Sequence, residues 1–194
     1  MEFIKQMLGN SIIEYVAVIC GLLNVYLIIR RSLWNFFFGF IMVVLYAKIF
    51  FDYQLYSDSL LQVFFFITQI YGLYNWIKHK APDGKVVVLP IKKQRFLMAI
   101  LMTMILWFIL SIVMQQYTDA THPIWDGAIA AFSVTAQILL MRRNIESWYL
   151  WITVDLLAIG LFTVKGLYPT AVLYSIFLVL AIIGLFQWRK TISD

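Results

Sequence analysis

The chain has 194 residues, of which 63% are hydrophobic, 18% aromatic and only 13% charged, with a mean hydropathy of +0.86. Soluble domains are about 45–50% apolar and about 25% charged, so a soluble enzyme, a disordered chain and a disulfide scaffold are excluded; Cys20 is the single cysteine. The net charge of +5 does not make a nucleic-acid surface, because the cations lie between long apolar runs rather than in one patch.

A membrane helix needs about 20 apolar residues to cross about 30 Å of hydrocarbon. Seven segments meet that requirement, and they use nearly the whole chain. They are predicted near Ile12–Ile29, Leu33–Phe51, Leu55–Ile77, Phe96–Met114, Ile124–Met141, Trp148–Val164 and Tyr168–Trp188. The alternating pattern of a transmembrane barrel is absent, so the fold class is an all-α membrane protein. No cleavable signal peptide is expected, because the first run lacks a cationic lead and a small-residue cleavage site.

In chain order, the first helix carries Asn24, a weak candidate for ligand contact, and ends at Arg30-Arg31. The second carries Lys48 near one end. The third holds Gln62 and Gln69, seven residues apart and so on one face, with Phe65 and Phe66 between them. Buried amides need partners or cost about 1–3 kcal/mol; these either bond neighbouring helices or read a ligand. Asn75, near the end of this helix, is expected to cap or sit at the interface. The linker from His79 to Arg95 contains Pro82, Gly84 and Pro90 and lacks the GxxxxGK[ST] phosphate loop, so the chain alone does not use ATP.

The fifth helix adds Thr135 and Gln137 as minor candidates. The sixth holds Asp155 in its middle, and an acid at the bilayer centre costs about 2.5–3.5 kcal/mol on insertion scales. It is expected to be protonated, bonded to hydroxyls or amides, or matched by a cationic substrate. Trp148 and Trp151 precede it by seven and four residues, which puts all three on one face. Two aromatic faces and an anion suit a flat, positively charged ring; for Trp148 the alternative is an interfacial anchor. The seventh helix carries Tyr174. Trp34, Trp76 and Trp188 fall near predicted helix ends and are expected to be interface anchors.

Sliding the chain against itself by 112 residues aligns Arg30-Arg31 with Arg142-Arg143 and Leu55-Tyr56 with Leu167-Tyr168. It also aligns Gly72-Leu73 with Gly184-Leu185, Trp76 with Trp188 and Lys78 with Lys190, without a gap from Ile12 to Lys78. Gln62 falls on Tyr174. Helices 1–3 (12–78) thus match helices 5–7 (124–190), and 79–123 supplies the linker and helix 4. Because three is odd, helix 4 is needed to make the two units parallel, a 3+1+3 transporter architecture with substrate expected near the midplane between them. All but Lys5, Lys48 and Lys165 of the 15 Lys and Arg fall on the side of the loops after helices 1, 3 and 5 and of the C-terminus. That side is expected to be cytoplasmic, with the N-terminus outside. No HExxH, GxSxG or carboxylate dyad is present, so no catalytic residue, metal site or cofactor is expected.

The assembled residues resemble the Pnu family of bacterial vitamin transporters. The matching pieces are Leu55-Tyr56, Leu61-Gln62-Val63-Phe64-Phe65-Phe66 and Tyr71-Gly72 with Trp76, then Glu146-Ser147-Trp148-Tyr149-Leu150-Trp151, and finally Tyr174 and Gly184 with Trp188. The resemblance implies a bundle similar to full-length SWEET transporters, set in the bacterial inner membrane as a homotrimer. It implies facilitated diffusion trapped by a cytoplasmic kinase. It implies that Trp148 and Trp151 frame the vitamin and that Gln62, Gln69 and Tyr174 line its cavity. Members importing nicotinamide riboside tend to have Asn where this chain has Asp155 and Ile183. These departures point the expectation toward the thiamine branch, with nicotinamide riboside as the alternative. Riboflavin or another small solute, a sugar facilitator, a non-transporting scaffold and a proton-coupled pump using Asp155 are the remaining readings.

Overall fold

The computed structural model of the chain describes residues 12–52, 56–118 and 120–193. Lys5 and Leu55, used in the orientation and repeat arguments, lie outside these residues. Among the described residues there are seven helices: α1 Ile12–Ile29, α2 Trp34–Asp52, α3 Tyr56–Lys78, α4 Lys93–Tyr117, α5 Pro123–Met141, α6 Ser147–Val164 and α7 Tyr168–Ser193. All seven are long and apolar enough to cross a membrane. They match the predicted segments closely, except that α4 extends at both ends and α7 runs past Trp188. Hydropathy marks where the hydrocarbon ends, whereas backbone hydrogen bonding carries a helix on into polar sequence.

The helices turn many of their large apolar residues outward. On α1, Ala17, Cys20, Gly21 and Asn24 are buried, while Ile12, Ile19, Leu23 and Tyr26 are exposed. Small and weakly polar residues let helices approach closely, and the large apolar ones face lipid. Helix α4 carries this furthest. Leu97, Met98, Leu101, Met102, Ile105, Phe108, Ile109 and Ile112 are exposed, and its one fully buried residue is Thr103.

The chain divides into two compact units, Met1–Val87 with Met141–Arg143, and Val88–Leu140 with Asn144–Asp194. In the first unit α1 packs on α2 and α2 on α3; in the second α6 packs on α7. Pro123 opens α5 at the position where its missing N–H costs nothing, and Asp126 in the first turn complements the helix dipole. At the end of α6, Gly166 adopts φ 71° and Leu167 N–H donates to the Phe162 carbonyl at 2.8 Å, closing the helix with a left-handed residue.

Local geometry recurs at the 112-residue offset. Among the described residues, Arg31 and Arg143 are the non-glycine residues with positive φ, at 57° and 66°. After Arg31, Ser32 N–H bonds the Leu27 carbonyl at 3.0 Å; after Arg143, Asn144 N–H bonds the Leu139 carbonyl at 2.9 Å. The next helices start alike: Asn35 to Ser32 (3.2 Å) and Phe36 to Leu33 (3.1 Å) correspond to Ser147 to Asn144 (3.1 Å) and Trp148 to Ile145 (3.1 Å). A left-handed non-glycine residue costs about 1–2 kcal/mol. Both arginines offset that by donating to the linker, Arg31 Nη1 to the Val86 carbonyl at 3.3 Å and Arg143 Nη1 to the Val87 carbonyl at 2.9 Å. Burial lowers the pKa of the Arg143 guanidinium, and Tyr71 opposes that shift.

Trp76 and Trp188 overturn the expectation that they anchor the interface. They are 0% and 1% exposed. Trp76 meets Phe36 edge-on at 5.3 Å and 89°, and Trp188 meets Trp148 at 5.3 Å and 84°. Gly72 and Gly184 make room beside each pair: a Cβ at Gly184 would lie 2.6 Å from the Trp148 ring, and one at Gly72 would collide with Met141. Position along a helix sets depth in the membrane; the face on which a residue lies sets whether it meets lipid, and these two face inward. Trp34, 68% exposed, fits the anchor role.

Candidate functional site

The second unit holds four of the sequence-derived candidates. Trp148, Trp151 and Asp155 follow one face of α6, and Phe162, seven residues after Asp155, continues it. Tyr174 of α7 stacks on Phe162 at 5.3 Å and 26°. Trp148 is sealed, at 2% exposure, between Trp188 and Gly184, and its indole N–H is buried with no acceptor among the described residues. Trp151 is half-buried and packs against the cluster of Ala136, Leu139 and Leu150, as does Phe132.

Asp155 is 4% exposed and has neither a hydrogen bond nor an ion pair among the described residues. Two cations on the apolar helices and their ends are already engaged. Lys165 pairs with Asp126 at 3.1 Å, and Lys48 pairs with Asp52 at 2.7 Å on the surface. Burying the charged form of a carboxyl group is costly, and an incoming cation offsets that cost.

The first unit holds the amides. Gln62 is half-buried and Gln69 is 4% exposed, with Gln69 Oε1 buried and unpartnered among the described residues. Asn24 Nδ2 donates to the Asn35 carbonyl at 2.7 Å. Several minor candidates turn out to be occupied. Thr135 bonds Thr103 of α4 at 2.7 Å, and Asn75 Nδ2 donates to the Met141 carbonyl at 2.8 Å, the capping expected of it. No group of three or more His, Cys, Asp or Glu able to hold a metal occurs among the described residues.

With this geometry in hand, similarity to known proteins decides the family. Residues 11–190 match the family described as Nicotinamide mononucleotide transporter. The chain belongs to that family. The chain is similar to the nicotinamide riboside transporter PnuC of Escherichia coli, 33% identical over 95% of this chain and 87% of that protein. It is 26% identical to the PnuC of Neisseria mucosa over 95% of this chain and 74% of the other. A crystal structure of the vitamin B3 transporter PnuC superposes with a TM-score of 0.77 at 25% identity, covering 92% of this chain and 80% of that one.

These family members are transporters rather than enzymes, and none of them is named for thiamine. The expectation of a thiamine branch is therefore corrected: the similarities favour the alternative reading. The chain, with Asp155 and Ile183, is similar to relatives named for nicotinamide riboside. Both ligands are cationic, so an acid in α6 does not discriminate between them.

Sequence reasoning missed two features of this family member. One is the Lys165–Asp126 pair, whose partners lie 39 residues apart. The other is a cavity of about 600 Å³ in the second unit, walled by Trp107, His122, Trp125, Phe132, Thr153 and Leu157 among others. Thr153 and Leu157 flank Asp155 by two residues each way, about 200° around the helix. The cavity thus lies on the opposite face of α6 from Asp155. No spacing signal marks it, since it forms between three helices.

Proposed function

We propose that this protein carries nicotinamide riboside across the bacterial inner membrane by facilitated diffusion. The observation that carries the reading is Asp155, a buried carboxyl group with no cation paired to it among the described residues, one turn from the half-buried Trp151, within a chain of this transporter family. Asp155 neutralises the pyridinium, and Trp151 offers it an aromatic face. Trp148, packed on Trp188, holds the start of α6 in place rather than stacking on the ligand. Tyr174, stacked on Phe162, limits the far end of the Asp155 face. Gln62 and Gln69 of the first unit read the neutral polar groups of the riboside.

The architecture in this reading is two parallel three-helix units, 12–78 and 124–190, with 79–123 supplying the linker and α4, similar to SWEET transporters. The recurrence of backbone bonds and ring pairs at the 112-residue offset supports it. The cation distribution supports a cytoplasmic C-terminus and an outside N-terminus. The family resemblance supports a homotrimer and trapping of the product by a cytoplasmic kinase.

Thiamine is the second reading, because it is also a cation that Asp155 would suit. Calorimetric titration of the detergent-purified protein with each vitamin separates them. Tight binding of nicotinamide riboside alone is the expected result. Binding of thiamine alone overturns the substrate, and binding of neither overturns the vitamin reading.

A further inference from the structure

The cavity of about 600 Å³ in the second unit is a trough between three helices. Ile124, Trp125, Ala128 and Phe132 of α5 form its floor. Trp107 and Gln115 of α4 line one side, and Thr153 and Leu157 of α6 the other. Gly160 of α6 seats the Trp125 ring, which a Cβ there would approach to 2.7 Å. The trough is open on one side, and its surroundings face outward: Ile124 in its lining is 62% exposed, and Phe108 of α4 and Leu156 of α6 are 68% and 56% exposed. Large apolar residues exposed on membrane helices meet lipid, so the opening is toward lipid.

The lining is graded with depth. Gln115, Thr121 and His122 stand where α4 passes to α5, and their side chains make no hydrogen bond among the described residues. Below them the donors are spent or hidden. The Trp107 indole donates to the Ile124 carbonyl at 2.8 Å, and the Thr153 hydroxyl to the Tyr149 carbonyl at 2.9 Å. The Trp125 N–H is buried rather than presented to the cavity. The deepest lining residue on each helix lies at one level: Phe132 is nine residues from Pro123, Trp107 ten from Tyr117 and Thr153 eleven from Val164. At 1.5 Å per residue these depths are about 13–17 Å, half of a hydrocarbon core about 30 Å thick. The trough is one leaflet deep.

We infer that this trough seats one acyl chain of a phospholipid from the leaflet at which α5 begins, with the phosphate accepting hydrogen bonds from Gln115, Thr121 and His122. A flat cation does not suit it: no carboxylate lines it, and the neighbouring Asp126 is paired with Lys165 at 3.1 Å. A helix of a second copy does not suit it either, because such a helix runs the full thickness whereas the trough ends near the midplane. No lysine or arginine lines the mouth, so a net negative head group gains nothing there. The lipid fills the gap between α4 and the other two helices and so steadies α4. The inference needs the membrane-spanning helices and not the vitamin reading.

Native mass spectrometry tests it on the full chain, purified in dodecyl maltoside and supplied with palmitoyl-oleoyl phosphatidylethanolamine. The wild type is expected to retain one lipid per chain and to melt at a higher temperature with it than without. Thr153→Phe and Leu157→Trp fill the trough from α6, and each is expected to retain about fivefold less lipid, or lower still, while keeping the lipid-free melting temperature. Leu156→Trp, on the outward side of α6, is expected to retain it. Phosphatidylglycerol with the same chains is expected to bind within about twofold of phosphatidylethanolamine. A wild type that retains no lipid overturns the inference, as does equal retention in all three variants. A changed oligomeric state in Thr153→Phe and Leu157→Trp with the lipid count unaltered also overturns it, and marks the trough as a contact between copies.

Discussion

Residues 12–78 and 124–190, with the turns that join their helices, share local backbone geometry and differ in chemistry. Arg31 and Arg143 turn the chain in the same left-handed conformation, and Phe36–Trp76 and Trp148–Trp188 pack edge-on at the same separation. Yet Val43, 1% exposed, stands where the second unit has Asp155, and Gly39 stands where it has Trp151. The frame positions carry large aromatic rings packed edge-on beside a glycine in both. The positions that differ carry every unpaired polar group argued above to meet the vitamin. Comparing the two units separates residues that build a unit from residues that give it a task.

The frame is expected to show the largest effects. Trp76→Ala and Trp188→Ala should each cost about 3–5 kcal/mol of stability, read by thermal or chemical unfolding in detergent, because each empties a fully buried site. A small loss at one and a large loss at the other would break the equivalence of the two frames. Asp155→Asn comes next. Removing one partner of a desolvated charge pair costs about 3 kcal/mol, roughly hundredfold in Kd. Calorimetry should show that loss with the melting temperature kept, and unchanged affinity would remove Asp155 from the site.

The two glycines sharpen the comparison. Gly184→Ala presses on the rigid Trp148 ring and is expected to cost about 1–3 kcal/mol. Gly72→Ala presses on the flexible Met141 side chain and should cost less. Equal melting temperatures for the two variants would contradict that difference in give. The smallest effect is expected at Thr103→Val, which removes the bond to Thr135; interhelical hydrogen bonds in membranes average about 0.6 kcal/mol. A loss several times larger would mean that this pair does more than join α4 to α5.

Much of this was legible from residue order. The seven spans could be placed because crossing hydrocarbon demands a length and an apolarity that no other element satisfies, and six of the seven started within about one residue of the observed helix. Asp155 stood out because an acid in that context is costly. Trp76 and Trp188 were misplaced because periodicity gives a residue's depth and its neighbours on one helix, not which helix covers it. The same limit hid the engagement of Thr135 with Thr103 and the approach of Asn24 and Gln69 across Gly39. The substrate branch was misjudged on two side chains, Asp155 and Ile183, whose types suit more than one cationic vitamin.

The sequence by itself determined the seven helices of the described residues, the recurrence of residue types at the 112-residue offset and the acid in α6, since these follow from local hydropathy, internal similarity and the cost of a charge in lipid. Only the tertiary structure decided which of the polar and aromatic residues are free. Whether Trp148, Thr135 or Gln69 has a partner depends on side chains from helices distant in the chain, and it is packing between helices that brings those together.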